Sequence, residues 1–150
     1  MNDSEIKQIL TNAKTIAMIG VNSLKKKEDP KNLKRKPANV VMKYMQDFGY
    51  KVIPVNPFAF GEVIHGETVV ANLKDISIPI DIVDVFRPSN ETPTLAAQAV
   101  KIGAKVFWLQ YGIQSDEAKK IVKSKNITIA TICRIVVSCQ LQSMMITLLL

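Results

Sequence analysis

The chain has 150 residues, of which 47% are hydrophobic and 22% charged, which is the balance of one folded domain and excludes a disordered tail. Two cysteines and one histidine exclude a disulfide scaffold and a structural zinc module, because such a zinc site needs four ligands at fixed spacing. The 20 lysines and arginines outnumber the 13 acidic residues, so the formal net charge is +7.

Strand-like and helix-like segments alternate along the chain. A helix is predicted over residues 3–13, opened by Asp3 or Ser4, and the nearly continuous apolar run 15–21 predicts a buried parallel strand. Further strands are predicted over residues 50–55, 69–70, 81–86, 105–109 and 127–132. Helices are predicted over residues 38–48, 89–102 and 115–125, with Pro37 where a first turn begins and with Ser89 and Ser115 as N-caps, and a turn of helix over 73–76. This alternation predicts a single α/β domain with a Rossmann-like, doubly wound, mostly parallel sheet of five to six strands.

The C-terminal residues 135–150 are uncharged and end in an apolar run. They are fewer than the roughly 20 apolar residues that a bilayer span needs, so we expect no membrane anchor. The apolar positions fit a helical face that docks on the domain or on a second copy; they are Leu141, Met144, Met145, Leu148 and Leu149. We therefore expect a domain over residues 1–134, an apolar tail over 135–150, and a homodimer or larger assembly.

The two ends of the chain also bear on its compartment. The N-terminus is polar and lacks the apolar segment of a secretory signal. Cys133 and Cys139 are six positions apart, which matches no redox or metal motif. These features predict a cytoplasmic protein, with both cysteines as small core residues.

Positive charge is concentrated in the loop that follows the first strand. Residues 25–36 hold seven basic and two acidic residues, a net charge of +5 in one short segment. The segment contains no aromatic residue to stack on bases and forms no basic helix face, so we expect no nucleic-acid partner. Parallel sheets bind ligands beyond the carboxyl ends of their strands, so this loop is placed to meet an anion.

The first-strand loop lacks the usual dinucleotide fingerprint. Gly20 is its only glycine, and sixteen residues separate the strand from the next helix. The second strand ends at Asn56 and Pro57, without the acid that binds a ribose diol. These departures disfavour NAD, whereas an NADP-type cofactor stays open because the basic loop could meet a 2′-phosphate.

The residues around this loop suit a multiply phosphorylated nucleotide. The helix that begins near Ala38 offers free backbone N–H groups to an anion, and Arg35 and Lys36 come just before it. Asn22 and Ser23 can donate hydrogen bonds from the end of the first strand.

Arg87 follows the strand over residues 81–86 and is expected to point into the same crevice. Its alternative role is an ion pair with Asp84 or Glu91.

Catalytic residues are hard to place. His65 lies in a loop between two glycines and is expected to be a local hydrogen-bond partner. Asp81 and Asp84 are three apart on a strand and face opposite sides, so they cannot act as an acid pair. We expect Asp84 to bond to neighbouring backbone. No serine lies in a nucleophile elbow and no carboxylate cluster suits a metal, so the sequence predicts no catalytic residue and no metal.

Five blocks of the sequence, in this order and spacing, resemble one family. They read IAMIGV, KPANVVMKYMQDFGYKVIPVNP, GETVVANLKDI, IDIVDVFRPS and IGAKVFWLQYGI. They resemble the small bacterial and archaeal CoA-binding proteins of the YccU type. These are stand-alone Rossmann domains similar to the CoA-binding domain of the succinyl-CoA synthetase alpha subunit. The resemblance extends from about Ile6 to Cys133, and it implies binding of coenzyme A or an acyl-CoA through the ADP half, without an established reaction.

The resemblance also assigns residues to that site. The matching positions are Gly20, Val21, Asn22 and Ser23 after the first strand; Lys36, Pro37 and Ala38 at the helix start; Asn56 and Pro57; Phe86 and Arg87; and Trp108 and Gln110. Phe86 and Pro57 would wall the adenosine, and Trp108 is alternatively a core residue. The chain departs from the family pattern where Ala38 replaces a serine and where Thr131 and Ile132 replace an Asp-Arg pair.

Three functions remain open from the sequence. The leading one is a CoA-binding module without catalysis of its own. The second is an enzyme with an NADP-type cofactor, although 150 residues leave little room for a substrate domain. The third is an oligomeric interaction protein that has kept the fold and lost the ligand.

Overall fold

The computed structural model describes residues 2–25, 37–110 and 112–132. The predictions for Arg35, Lys36, Cys133 and the tail over residues 135–150 lie outside the described residues. None of the helices in the described part of the chain is long and apolar enough to cross a membrane.

Five parallel strands form the central sheet, as the sequence predicts. They are β1 (Thr15–Ile19), β2 (Lys51–Val55), β5 (Ile82–Val85), β6 (Val106–Gln110) and β7 (Thr128–Ile132), in the order β2-β1-β5-β6-β7. The chain runs outward from β1 to β2 and then returns to β5 on the other side of β1. The strand order therefore reverses between β1 and β5, and the carboxyl ends of these two strands form the switch point where such sheets bind ligands.

A small hairpin replaces the predicted strand over residues 69–70. Its strands are β3 (Val63–Ile64) and β4 (Glu67–Thr68), joined by a turn in which His65 and Gly66 have φ of 48° and 82°. Val70 instead forms a single bridge with Val55 at the end of β2.

Among the described residues, four helices cover the two faces of the sheet: α1 (Asp3–Asn12), α2 (Pro37–Asp47), α3 (Thr92–Lys101) and α4 (Asp116–Lys123). Short 3₁₀ turns lie at Pro57–Ala59, Leu73–Asp75 and Ser89–Glu91. Side chains alternate between faces along each strand. Ile16, Met18, Ile82 and Trp108 pack under α1 and α2. Ala17, Ile19, Val83 and Phe107 pack under α3 and α4.

The helix caps differ in part from the prediction. Ser115 caps α4, with its side chain accepting from the N–H of Ala118 at 3.1 Å. Asn2, and not Asp3 or Ser4, caps α1 in a capping box with Glu5. The prediction for Ser89 is wrong, because its hydroxyl oxygen accepts from the N–H of Gln114 at 3.0 Å and α3 begins three residues later.

Candidate functional site

Gly20 lies directly after β1, at the switch point of the sheet. Its φ is +96°, and an added Cβ would come within 2.6 Å of the carbonyl oxygen of Phe86. Its N–H donates to the carbonyl of Val55 at 3.0 Å, and the N–H of Phe86 donates to the carbonyl of Ile19 at 2.9 Å. Only glycine allows the ends of β1 and β5 to approach this closely, so bare backbone forms the floor of a crevice there.

Two cavities meet at Gly20 and Arg87, and both residues line each cavity. The smaller, about 140 Å³, extends over the end of β2 and is also lined by Asn56, Pro57 and Phe58. The larger, about 330 Å³, extends from the start of α2 to the end of β6 and is also lined by Asn22, Pro37, Ala38, Phe86 and Gln110. Together they form one crevice across the carboxyl ends of the strands, hereafter the carboxyl-edge crevice. It brings together nine of the residues predicted from the sequence.

Arg87 is held at the centre of this crevice by Glu91. Its Nε and Nη2 donate to the two carboxylate oxygens of Glu91 at 2.8 and 2.7 Å. This bidentate pair raises the pKa of Arg87 and lowers that of Glu91, mainly through the hydrogen bonds between them. The Nη1 group has no hydrogen-bond partner within residues 2–25, 37–110 and 112–132. The alternative of an ion pair with Glu91 is thus realised, yet the guanidinium keeps donors for a ligand.

Two asparagines hold the turn between β1 and α2. The Asn39 side chain accepts from the N–H of Asn22 at 2.9 Å and donates to the carbonyl of Asn22 at 2.8 Å. The Asn56 amide donates to the carbonyl of Val21 at 2.8 Å and accepts from the N–H of Phe58 at 2.9 Å. Asn56 therefore braces the crevice with its side chain. Sequence reasoning missed Asn39, although a polar residue amid the apolar positions of the α2 start was a usable signal.

Ser23 is engaged within the protein. Its hydroxyl donates to Glu62 Oε1 at 2.6 Å and accepts from the N–H of Lys25 at 3.2 Å. The hydroxyl hydrogen that was expected to meet an anion therefore points to a carboxylate.

Trp108 lies in the core, which is the alternative left open for it. It is 5% exposed and packs with the apolar residues under α1 and α2. It lines a separate cavity of about 20 Å³ together with Asp84 and Gln110. Trp108 does not line the carboxyl-edge crevice, because it lies two positions before the end of β6.

Asp84 is a buried carboxylate behind the crevice. Its Oδ1 accepts from Gln110 Nε2 at 2.7 Å. Burial raises the pKa of Asp84 to about 7, against the hydrogen bonds from Gln110 and from the Val85 backbone that lower it. The expected bond to neighbouring backbone is present, and Gln110 is a partner that the sequence did not reveal.

The remaining polar candidates form hydrogen bonds within the protein. His65 Nε2 lies 3.1 Å from the carbonyl oxygen of Asn39, so His65 is a hydrogen-bond partner as expected, but its partner lies 26 positions away in the sequence. Asp81 accepts from the backbone N–H groups of Lys14 and Thr15 at 2.8 and 3.2 Å and from Lys105 Nζ at 2.7 Å. No group of three or more metal-ligating side chains occurs in the part of the chain that the structure describes.

A larger cavity of about 420 Å³ lies at the opposite edge of the sheet, between α1 and the starts of β5, β6 and β7. Its lining includes the carboxylates of Glu5 and Asp81, and its one lysine, Lys105, is paired with Asp81. This cavity is unsuited to a polyanion, whereas the carboxyl-edge crevice combines a helix N-terminus with an arginine.

Comparisons with known proteins agree with this architecture. The family model described as CoA binding domain matches residues 14–138. Protein YneT of Bacillus subtilis is 40% identical over 126 residues, which cover 84% of this chain and 85% of that protein.

Two solved structures are also similar. Cell-free ID.343 from Thermus thermophilus is 37% identical with a TM-score of 0.75, over 87% of this chain and 91% of that one. A hypothetical protein from Pyrococcus horikoshii OT3 is 34% identical with a TM-score of 0.75, over 87% of this chain and 84% of that one. The chain therefore belongs to the CoA binding domain family.

Proposed function

We propose that this chain binds coenzyme A in the carboxyl-edge crevice, through the adenosine and phosphate half of the ligand, and catalyses no reaction of its own. The observation that carries this proposal is that Arg87 and the N-terminus of α2 line one cavity around the bare backbone of Gly20. Membership of the CoA binding domain family supports the same ligand.

The phosphates are assigned to the larger cavity. Backbone N–H groups at the first turn of α2 lie at the positive end of the helix dipole, where anions are favoured. Arg87 lines the same cavity and keeps Nη1 free of partners among the described residues, while Glu91 orients its guanidinium. Arg35 and Lys36, which directly precede α2 in the sequence, add positive charge in this proposal. Coenzyme A carries about four negative charges, which such a positive field favours.

The adenosine is assigned to the smaller cavity, over the end of β2. Pro57 lines this cavity, and Phe58 beside it is 82% exposed, so an aromatic face is open to a stacking base. Phe86 lines the larger cavity instead, so we assign it to the phosphate and pantetheine side and revise its expected place beside the adenosine. The pantetheine arm then leaves the phosphates towards Gln110 at the end of β6.

An arginine substitution tests this assignment. Arg87→Ala removes a charged hydrogen bond to phosphate and should weaken coenzyme A binding by roughly 10- to 150-fold. Lys119→Ala is the matched control, because Lys119 pairs with Asp116 at 3.6 Å on α4 and its loss changes the net charge equally. Calorimetric titration should show the loss in the first variant only. Equal affinity of the two variants for coenzyme A would contradict the phosphate assignment.

A further inference from the structure

The carboxylate of Asp84 lies behind the carboxyl-edge crevice and reaches it through one side chain. Asp84 is 7% exposed, and its Oδ1 accepts from Gln110 Nε2 at 2.7 Å. Gln110 lines both the small cavity around Asp84 and the larger cavity of the crevice. A change at Asp84 can therefore be transmitted to the crevice by the Gln110 amide.

We propose that Asp84 acts through Gln110 as a proton-dependent switch, which decides whether the crevice offers a hydrogen-bond acceptor or a donor at the end of β6. An ionised carboxylate only accepts, so it holds the NH₂ group of Gln110 and leaves Oε1 for the crevice. In the described part of the chain, Gln110 Oε1 has no hydrogen-bond partner. A protonated Asp84 has an O–H that donates to Oε1 after the amide rotates by half a turn, and the NH₂ group then faces the crevice.

The surroundings of Asp84 leave its charge uncompensated. Apart from Gln110, the side chains that line the cavity with Asp84 are apolar: Leu10 of α1, Ile16 of β1, Val41 and Met45 of α2, Ile82 of β5 and Trp108 of β6. The titratable side chains described on α1 and α2 do not line this cavity: Glu5, Lys7, Lys43, Tyr44 and Asp47. Burial outweighs the hydrogen bonds from Gln110 and the Val85 backbone and raises the pKa of Asp84 to about 7, so the carboxyl gains or loses its proton near neutral pH.

The consequence for a ligand rests on the proposed function. With adenosine over β2 and phosphates at α2, the group that reaches Gln110 is the pantetheine arm, whose amides and hydroxyl supply hydrogen-bond donors. Ionised Asp84 offers these donors the Gln110 carbonyl oxygen. When Asp84 is protonated, the NH₂ group of Gln110 replaces that acceptor, so that one donor faces another. The affinity for the pantetheine arm should therefore fall as the pH is lowered.

The test uses dephospho-CoA, because it lacks the 3′-phosphate, whose second ionisation near pH 6 would otherwise titrate in the same range. Calorimetry at pH 5.5, 6.5, 7.0 and 8.0 compares the wild-type chain with Asp84→Asn. The wild-type affinity should fall by roughly 3- to 10-fold from pH 8.0 to 5.5, the range of one hydrogen bond. The variant should show no such change. Adenosine 3′,5′-bisphosphate, which does not reach Gln110, should bind both chains alike at each pH. A dephospho-CoA profile that is the same in both chains would overturn the switch.

A measurement without ligand separates this inference from the proposed function. The side-chain amide resonances of Gln110, identified by their loss in Gln110→Ala, should move with a midpoint near neutral pH in the wild-type chain and stay fixed in Asp84→Asn. Amide resonances that do not titrate would overturn the switch even if coenzyme A binds. Titrating resonances in a chain that binds no coenzyme A at any pH would overturn the proposed function and leave the switch standing.

Discussion

Asp84 makes the stability of this fold depend on pH in an unusual direction. Burial raises the pKa of Asp84 in the folded chain to about 7, against the ordinary pKa of 3.8 for a free aspartate carboxyl. Between those values the folded chain keeps the proton and the unfolded chain has lost it. The free energy of unfolding therefore falls as the pH rises towards 7, by about 1.4 kcal/mol per pH unit, and is constant above it.

Asp84→Asn removes this ionisation and keeps the shape of the side chain. The wild-type chain should lose about 3 kcal/mol of stability relative to the variant between pH 5 and pH 8. Urea unfolding of both chains at pH 5, 6, 7 and 8 measures the difference, and the other titratable groups cancel in the comparison. A difference in unfolding free energy that stays constant over this range would show that the folded chain does not retain the Asp84 proton near neutral pH.

Asp81 provides the control, because its surroundings have the opposite effect. Burial tends to raise the pKa of Asp81, but hydrogen bonds from Lys105, Lys14 and Thr15 outweigh it and lower the pKa to about 2. The stability that it contributes is present above the unfolded pKa and is lost only as the pH falls towards 2. Asp81→Asn should therefore differ from the wild-type chain by a constant amount between pH 5 and pH 8.

Three further predictions concern the crevice and the tail. Gly20→Ala should lower the free energy of unfolding by roughly 2 kcal/mol or more, because the new Cβ clashes with backbone. Gly103→Ala, at φ +70° with nothing within 4 Å, should lower it by only about 1 kcal/mol, through backbone strain. Urea unfolding compares them, and equal losses would remove the argument for close approach at Gly20. Asn39→Ala should free both backbone groups of Asn22, weaken coenzyme A binding and lose about 1–3 kcal/mol of stability; unchanged calorimetric affinity would contradict its bracing role. The homodimer or larger assembly that we expect from the sequence should become smaller in light scattering when residues 141–150 are removed, and an unchanged mass would count against the tail as an interface.

The fold could be predicted because its signals are local. Each main strand is a short segment in which apolar residues predominate, and each helix repeats apolar positions at helical spacing. The hairpin of β3 and β4 escaped prediction because strands of two residues are too short to show a period. The prediction of Ser89 as an N-cap was wrong because a serine next to a helix can also accept a hydrogen bond from another segment, here from the backbone N–H of Gln114.

The sequence predicts those residues of the candidate site whose place depends only on their own position in the chain. Gly20 and Arg87 are examples, because each lies at or just after the end of a predicted strand. The pairs Asn39 with Asn22, Ser23 with Glu62, and Asp84 with Gln110 join residues 17, 39 and 26 positions apart. Such pairs depend on sheet register and helix placement, which no local pattern reveals.

Trp108 and Gln110 show that the sequence pattern of a single strand also does not distinguish a core residue from a site residue. The alternation of β6 places both on one face of the sheet. It cannot tell that Gln110, at the end of the strand, reaches the crevice while Trp108 lies beneath α1 and α2. The depth of a residue along the strand, set by the neighbouring helices, decides between a ligand contact and the core.

Coenzyme A binding in the crevice is tested most directly by calorimetric titration of the full chain with coenzyme A, with NADPH in parallel, at low and high salt. We predict micromolar binding of coenzyme A that weakens as salt rises, because phosphates are held by an arginine and a helix N-terminus, and no measurable binding of NADPH. Absence of coenzyme A binding at low salt, or equal binding of NADPH, would contradict it.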